Sequence, residues 1–361
     1  MKRLVPTAAA ALTAALISCS SPGGSANPKP HDPPPAESGP PQDLVRQSRL
    51  MDTLRSLPTS RAALGDAASR QGLHQTEALI VDSLKRMGYE PTIQSFEWSP
   101  PGAGQGGQPA PEHTYHNVIV DIPGRDLPNE VVLISAHFDA VVGAPGADDD
   151  GTGVAGLLEI ARTLRNHPTR RTVRLAFFNL EECGLVGSSH CVIQLRDKWA
   201  KEQAAGAPIE KIVGMASLEM LGYFSDEPNS QKSPLPPVKD VFEPPTVGDS
   251  IAVVGIKRDQ PFIHDLVTGM QSSAPALKIT VVDFLPFPVP DMTRSDHRPF
   301  MIAGIPAVMV TDTANFRNPN YHKPTDTIAT VDPKRFTLVV KAVAGATYRL
   351  AEPVTGQPQR P

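Results

Sequence analysis

Eight short apolar runs between residues 92 and 312 constrain the fold more than any other feature of this sequence. Several are continuously apolar, as are strands that a sheet buries on both faces. The predicted strands cover residues 92–98, 116–122, 131–138, 172–179, 211–220, 250–256, 278–284 and 306–312. Segments with helical spacing alternate with them at residues 151–165, 184–197, 260–273, 295–303 and 333–351. We therefore predict an α/β fold, a three-layer αβα sandwich around a central mixed, mostly parallel sheet.

The start of the chain has the pattern of an export signal. A short basic region precedes an apolar stretch that is too short to span a membrane, so residues 1–18 are predicted to be a signal peptide. Residues 16–19, LISC, resemble the lipobox of bacterial lipoproteins, which makes Cys19 the expected site of lipidation. The alternative is an ordinary secretory peptide. By the same resemblance, Ser20 favours the outer membrane over the inner one.

Composition indicates which parts of the remaining chain fold and which are disordered. Residues 19–43 are rich in Pro, Gly and Ser and are predicted to be a disordered tether from the lipid to the domain. The folded domain is expected over residues 44–352, beginning with two amphipathic helices, and residues 353–361 are expected to be a flexible tail. Two turn-rich segments, 99–112 and 224–249, are too long for simple connections. Each either shapes a pocket or is a surface insertion.

Charge and cysteine content narrow the partners and the chemistry. Lys and Arg number 34 against 38 Asp and Glu, a net charge of −4, which gives no support for nucleic-acid binding. Of the 3 cysteines, Cys183 and Cys191 would remain after lipidation. On one helix, eight residues of separation place them about 12 Å apart, too far for a disulfide. Two buried thiols are expected unless the segment begins as a loop.

Polar side chains follow the ends of several predicted strands. His137 follows one strand, Glu181 and Glu182 another and Glu219 a third, while His322 lies in a later loop. In open α/β sheets, ligands bind beyond the carboxyl ends of the strands. Each residue also has a structural explanation, such as a core histidine or a solvated pair of carboxylates. Together, two imidazoles and several carboxylates without a thiolate suit a pair of zinc ions.

Five motifs in fixed order resemble the exported co-catalytic zinc aminopeptidases, whose relatives include glutamate carboxypeptidase II, plasma glutamate carboxypeptidase and glutaminyl cyclase. The motifs are HFD, GADDDGTG, NLEECGLVGS, SLEMLGY and YHKPTDT. The resemblance runs from about residue 45 to residue 351 and implies the zinc-peptidase, phosphorylase/hydrolase-like form of the predicted fold. It also implies two Zn²⁺ ions per chain. In this match His137 and Glu219 hold one zinc, Glu182 and His322 hold the other, and Asp149 bridges them.

The resemblance assigns further roles around the metals. Glu181 is the expected general base, and Tyr321 the expected donor to the oxyanion. Asp139 is expected to fix the tautomer of the first histidine ligand, and Asp326 to support the His322 loop. The family usually has aspartate at the position of Glu219, which is longer by one methylene group.

A second tier of residues is expected near the substrate. Asp296 and His297 lie in a Ser-Asp-His motif that the family carries at its pocket wall, although Ser295 or Asp296 could equally cap a helix. Arg317 and Asn318 precede the final histidine motif and could hold a substrate carboxylate or carbonyl.

The triplet Asp148, Asp149 and Asp150 divides into three expected roles. Asp149 bridges the metals, Asp150 begins the helix at Gly151, and Asp148 faces solvent or a hydrogen-bond donor. The resemblance implies that the peptide bond between Asp149 and Asp150 is cis.

The predicted function is removal of N-terminal residues from peptides by a water that two zinc ions activate. The alternatives are a single-zinc acyltransferase like glutaminyl cyclase, a carboxypeptidase or dipeptidase of the same superfamily, and a non-catalytic binding domain. The expected partners are a peptide substrate and, through Cys19, the membrane of the cell envelope, with no nucleic acid. A monomer is expected.

Overall fold

The computed structural model describes residues 38–100 and 113–354. The predicted signal peptide, the lipidation site at Cys19, most of the tether and the tail from residue 355 onward lie outside the described residues. So does most of the segment 99–112. Among the described residues, no helix is both long enough and apolar enough to cross a membrane.

The eight predicted strands are all present, with shifts of a few residues at their ends. They are β1 Thr92–Trp98, β2 His113–Ile122, β3 Leu127–His137, β4 Arg171–Phe178, β5 Lys211–Glu219, β6 Ser250–Val254, β7 Lys278–Val282 and β8 Ala307–Thr311.

The helices also follow the predicted order. They are α1 Pro41–Leu44, α2 Gln47–Ser56, α3 Ala67–Arg86, α4 Gly151–Leu164, α5 Val186–Ala204, α6 Gln260–Ser273, α7 His297–Ile302 and α8 Pro333–Leu350. Helix α1 covers the last three residues of the predicted tether and the first residue of the predicted domain, and Pro41 is buried, so the last tether residues already pack on the domain. Helix α5 extends beyond the predicted residue 197, because good helix formers continue as far as Ala204.

One mixed sheet contains all eight strands in the order β1-β2-β4-β3-β5-β8-β6-β7. The central strands β4, β3, β5 and β8 are parallel to one another, and β7 is parallel to β6. Strand β6 runs antiparallel to β8, and β1 and β2 form an antiparallel edge. The predicted mixed, mostly parallel sheet is confirmed.

Alternate residues of β3 show why the sheet has a layer on each face. Val132 and Ile134 point into a core shared with α2, α4, α6 and α8, whereas Val131 and Leu133 point into a second core with α5 and α7. The three-layer prediction is therefore confirmed. The segment 224–249 contributes Leu235 and Phe242 to a third apolar cluster over β6, β7 and β8, so part of it covers the sheet.

The two cysteines of the domain are free thiols, as predicted. Cys191 is buried on α5, while Cys183 lies in the turn before that helix and is only partly buried. Burial raises the pKa of each thiol to about 12, so both are protonated at neutral pH.

Candidate metal centre

The first group of possible metal ligands comes from two neighbouring parallel strands. His137 ends β3 and Glu219 ends β5, so both side chains leave the same edge of the sheet. His137 Nε2 lies 3.2 Å from Asp149 Oδ1 and 3.6 Å from Glu219 Oε2. All three residues are buried. They form a compact group of one imidazole and two carboxylates.

The second group uses the other oxygen of the same aspartate. His322 Nε2 lies 3.1 Å from Asp149 Oδ2 and 3.2 Å from Glu182 Oε2. Within each group the candidate ligand atoms are all within 4.8 Å of one another. Asp149 thus presents one oxygen to each group, which is the arrangement that a bridging carboxylate requires.

Several side-chain atoms of these residues have no hydrogen-bond partner in the part of the chain that the structure describes. They are His137 Nε2, Asp149 Oδ2 and Glu182 Oε1, and all are buried. The short distances within each group do not meet the angular requirements of hydrogen bonds, as expected when lone pairs converge on a common ion. Buried polar atoms are normally satisfied, so these residues fit a cation held between them.

Electrostatics in the metal-free site support the same interpretation. Burial raises the pKa of Glu181 well above its usual value, and burial together with the charge of Asp149 raises the pKa of Glu182 to about 7. Despite burial, the carboxylates Asp149 and Glu182 raise the pKa of His322 to about 10. Protons therefore occupy the site when no cation is present, because several buried carboxylates cannot all remain charged.

Asp139 connects the two halves of the site. Its carboxylate accepts hydrogen bonds from the amides of Glu181 (3.0 Å) and Glu182 (3.1 Å), which fixes the turn that carries the expected base. His137 Nδ1 lies 3.2 Å from the Asp139 carbonyl oxygen and 3.5 Å from its carboxylate. The expected contact between Asp139 and the imidazole is present, and the shorter of the two distances is to the backbone carbonyl.

The aspartate triplet is organised by its neighbours. The Asp149–Asp150 peptide bond is cis, as predicted. Asp150 caps α4 through the amide of Gly153, also as predicted, and accepts the amide of Met220 on the same oxygen. Asp148 is fully buried and accepts a hydrogen bond from the Gly222 amide at 2.8 Å, so it faces donors and not solvent.

The structure shows how Asp326 is tied to the metal-bridging segment. Its carboxylate oxygens accept hydrogen bonds from the amides of Asp148 (3.0 Å) and Asp149 (3.1 Å). Because Asp326 follows His322 in the same loop, it joins that loop to the bridging aspartate. It holds the metal-bridging segment and does not contact the imidazole through these bonds.

Asp296 and His297 lie behind the site and do not line its cleft. Both are fully buried. His297 Nε2 donates to the Met292 carbonyl at 2.7 Å, and burial lowers the pKa of His297 to about 4. Asp296 is the first residue before α7 but makes no capping hydrogen bond with its side chain, and Ser295 Oγ instead donates to Glu219 Oε2 at 2.7 Å. Asp296 therefore holds the N-cap position without the expected side-chain cap, and neither Asp296 nor His297 lines the cleft.

Asn318 is likewise structural. It is 2% exposed, and its amide donates to the Asp148 carboxylate at 2.9 Å. Arg317 is buried, and its Nε donates to Gln231 Oε1 at 2.7 Å. Only Arg317 of this pair borders a cavity, a small chamber of about 100 Å³ beside Glu219. The prediction that Asn318 contacts substrate is wrong because Asp148 occupies its amide.

Tyr321 stands between that chamber and a wider cleft. Its ring stacks on His322 with centroids 3.7 Å apart, and its Oη accepts a hydrogen bond from Arg294 Nη2 at 2.9 Å. The cleft, of about 800 Å³, is lined by Asp149, Glu181, Glu182 and Tyr321 among others. The chamber walls include the apolar side chains Leu235, Phe242, Val254, Val282, Met292 and Met309.

Two arginines near the site were not found from the sequence. Arg61, 1% exposed, donates to the carbonyls of Phe138, Pro145 and Gly146, so it fixes the loop that precedes the bridging aspartate. No periodicity marks it, because all of these partners are distant in sequence. Arg294 directly precedes the Ser-Asp-His motif, so its position in the sequence could have marked it as a residue near the site.

The model of peptidase family M28 matches residues 117–347. An uncharacterized protein of Escherichia coli, YfbL, is 31% identical over 77% of this chain and 84% of its own length. Aminopeptidase YwaD of Bacillus subtilis is 27% identical over 65% of this chain, and leucine aminopeptidase 2 of Trichophyton rubrum is 26% identical over 69%. The chain spans only 44% and 47% of the lengths of these two enzymes.

Solved structures share the fold at low identity. An aminopeptidase from Aneurinibacillus sp. strain AM-1 superposes with a TM-score of 0.61 at 19% identity, covering 89% of this chain and 97% of that one. A zinc aminopeptidase from Bacillus subtilis gives 0.61 at 17%, covering 85% and 95%. A glutaminyl cyclase of Macrostomum lignano gives 0.60 at 15%, covering 86% and 90%.

Proposed function

Because this chain belongs to peptidase family M28, we propose that it is a zinc aminopeptidase that removes N-terminal residues from peptides with two metal ions and Glu181 as base. One observation carries the proposal. The two oxygens of Asp149 face two separate groups, each with a histidine and a second carboxylate, at distances of 3.2 Å or less to the imidazoles.

The donor set fits zinc. His137 and Glu219 would hold one ion, Glu182 and His322 the other, and Asp149 both, which gives nitrogen and oxygen ligands without a thiolate. When bound, two zinc ions supply Lewis acidity to the scissile carbonyl and to the attacking water. The three ligand carboxylates remove three of the four positive charges, so the site keeps a small net positive charge.

Glu181 moves the proton in this proposal. Its carboxylate lines the cleft beside Glu182 and Asp149, and the Asp139 carboxylate holds its backbone amide. The Glu181 carboxylate takes a proton from the attacking water and returns it to the leaving amine. Burial raises the pKa of the Glu181 carboxyl above its ordinary value, and this direction favours a group that must accept a proton as well as release one.

Tyr321 would stabilise the developing oxyanion. Arg294 donates to its phenol oxygen, which leaves the phenol's own hydrogen free to donate elsewhere. A fixed donor at the cleft costs no reorganisation when negative charge develops on the carbonyl oxygen. Arg294 acts here as a positioning residue.

The two cavities favour an exopeptidase. A chamber of about 100 Å³ beside Glu219 has room for one side chain, whereas the cleft of about 800 Å³ on the Glu181 side has room for more of the peptide. The N-terminal residue would occupy the chamber, and its mainly apolar walls favour an apolar residue. The names of YwaD and of the fungal leucine aminopeptidase agree with this direction of cleavage.

A glutaminyl cyclase activity is the second candidate, because cyclases share this fold. It would require one zinc and no hydrolysis. A carboxypeptidase of the same family is a third candidate.

A peptide panel with free and blocked ends separates these candidates. We expect hydrolysis of peptides with a free N-terminus, no hydrolysis after N-acetylation, and loss of activity with a chelator. Requirement for a free C-terminus with indifference to the N-terminus would indicate a carboxypeptidase. Cyclisation of N-terminal glutamine without hydrolysis would overturn the proposal in favour of the cyclase.

We also propose that the protein is exported and anchored to the cell envelope through a lipid on Cys19. The proposal depends on the LISC motif alone. In cells, wild-type protein should partition into detergent and Cys19→Ala should not; equal partitioning would contradict it.

A further inference from the structure

Three arginines line the wall of the wide cleft, and one of them, Arg294, also borders the small chamber. Two of them are already engaged. Arg258 pairs with Asp259 at 2.7 Å, and Arg294 binds Tyr321. Arg298, exposed on α7, makes no ion pair or hydrogen bond through its guanidinium within residues 38–100 and 113–354.

Two large apolar side chains are exposed beside these arginines. Phe287 is 79% exposed and Ile302 is 72% exposed, and both line the cleft that also contains Glu181 and Glu182. An aromatic side chain held in solvent next to a catalytic cleft gains stability when a ligand covers it. The wall therefore combines an exposed guanidinium that has no partner among the described residues with an apolar surface.

The part of the substrate that leaves after cleavage is the part expected beside this wall. Glu181 would return its proton to the leaving nitrogen, so the residue that begins with this nitrogen must lie in the same cleft. In a dipeptide, the free carboxylate is two bonds from that nitrogen. In a longer peptide, a neutral amide occupies the same place.

We propose, on the basis of the proposed aminopeptidase function, that the cleft selects dipeptides with an apolar second residue, whose terminal carboxylate binds Arg298 and whose side chain packs on Phe287 and Ile302. Arginine binds carboxylates through paired donors, which gives direction as well as charge. The preferred substrates are apolar dipeptides, the final products of the breakdown of longer peptides by endopeptidases and exopeptidases.

The test compares kcat/KM for Leu-Phe, Leu-Phe amide, Leu-Ala and Leu-Glu amide. Wild-type protein should cleave Leu-Phe about tenfold better than its amide, corresponding to about 1.4 kcal/mol. Arg298→Gln should reduce this ratio to about one. Phe287→Ala should reduce the preference for Leu-Phe over Leu-Ala about fivefold while leaving the carboxylate preference unchanged. Both side chains are exposed, so the variants should melt at the wild-type temperature.

Arg196→Gln is the matched control. Arg196 is an exposed arginine on α5 and lines a groove at the starts of β5 and β8, the opposite edge of the sheet from His137 and Glu219. Arg196→Gln should leave unchanged both the preference for Leu-Phe over its amide and the preference for Leu-Phe over Leu-Ala.

Different failures have different meanings. Cleavage of Leu-Phe and its amide at equal rates by wild-type protein would overturn this inference and leave the aminopeptidase proposal intact. Arg298-dependent preference for Leu-Glu amide would show that an acidic side chain is read instead, and would also overturn it. Failure to cleave any peptide with a free N-terminus would overturn the proposed function and the inference together.

Discussion

Glu219 shows how a single residue is adapted to its position in this site. Its side chain is one methylene longer than the aspartate that the resemblance to zinc aminopeptidases implies at this position, so it has one more rotatable bond to restrain. Ser295 Oγ donates to Glu219 Oε2 at 2.7 Å, and Ser217 Oγ lies 3.2 Å from Ser295 Oγ. The hydroxyl pair fixes the carboxylate that faces His137, which explains why the extra methylene does not displace it.

Removing that hydroxyl should weaken metal binding. For Ser295→Ala we expect zinc affinity to fall about 10- to 100-fold, because a ligand that loses its supporting hydrogen bond is less well oriented. Competition with a chromophoric chelator measures the affinity. Ser135→Ala is the control, since Ser135 is equally buried and bonds to Ser217 at 3.4 Å without contacting Glu219. Equal affinities for the two variants would contradict a role for Ser295.

At the residue scale, the motifs that carry the metal ligands were predictable from the sequence. The residues that hold those motifs in place were not. Residue types and strand ends indicated the metal ligands, and the resemblance assigned their roles. Arg61 could not be predicted, because its guanidinium binds backbone carbonyls of residues 138, 145 and 146, which leave no trace in side-chain chemistry. Asn318 was misassigned for a related reason: sequence does not show that Asp148 already accepts its amide.

At the scale of elements, the turn between β4 and α5 carries the expected base and is closed by a glycine. Gly187 N donates to the Asn179 carbonyl at 3.0 Å, and Asn117 Nδ2 donates to the Gly187 carbonyl at 2.9 Å. A Cβ at Gly187 would lie 2.3 Å from the Asn179 carbonyl oxygen. Only glycine permits this close approach. The segment that carries Glu181 and Glu182 is therefore held between Asn179 and Gly187.

Gly187→Ala should therefore destabilise the fold and move the base. We expect the free energy of unfolding to fall by about 1–3 kcal/mol, as for overpacking, with a loss of activity larger than the loss of folded protein. Urea denaturation and kcat on the same preparation measure the two effects. A Cβ at Gly156, in α4, would lie 3.2 Å from the buried Val340 side chain and at 3.6 Å and 3.9 Å from two leucine side chains. Gly156→Ala should therefore change stability by less than about 1 kcal/mol, because only one contact has to relax and alanine favours the helix. Similar losses for both variants would contradict this account.

The strands were predictable because they are apolar on both faces, whereas element ends depended on contacts that the sequence does not show. Helix α7 begins at His297 and not at residue 295, and the Ser295 hydroxyl bonds to Glu219 instead of capping the helix. The helix Pro41–Leu44 escaped prediction because a proline-rich composition suggests disorder, yet Pro41 and Leu44 are buried.

At the scale of the whole molecule, metal and protons compete for the same buried site. Without metal, burial raises the pKa of Glu182, Asp296 and Asp326 to about 7 each, and nearby carboxylates raise the pKa of His322 to about 10 against the effect of burial. The folded metal-free chain then binds more protons than the unfolded chain near neutral pH. His297, with its pKa lowered by burial to about 4, and His190, whose pKa burial also lowers, act oppositely, but the groups with raised pKa values outnumber them.

Metal-free protein should therefore lose stability as pH rises. The three carboxyl groups contribute stability that disappears as pH rises through about 7, and the His322 contribution declines further above about 6.5. Zinc-loaded protein should not show this decline, because zinc binding releases protons and tightens as pH rises. Thermal unfolding from about pH 5 to about pH 8 should show the melting temperature of chelated protein falling by about 5 °C or more. Parallel curves with and without zinc would contradict this competition.

The central claim is that two metal ions and Glu181 together hydrolyse the peptide bond, and zinc content measured alongside turnover for wild-type protein and Glu181→Gln tests it most directly. The substitution keeps the size of the side chain and removes its ability to accept a proton. We predict about two zinc ions per chain in both proteins, with turnover in the variant reduced by about 10²–10⁴-fold. Appreciable turnover by the variant, or a single zinc ion in fully active wild-type protein, would contradict the account.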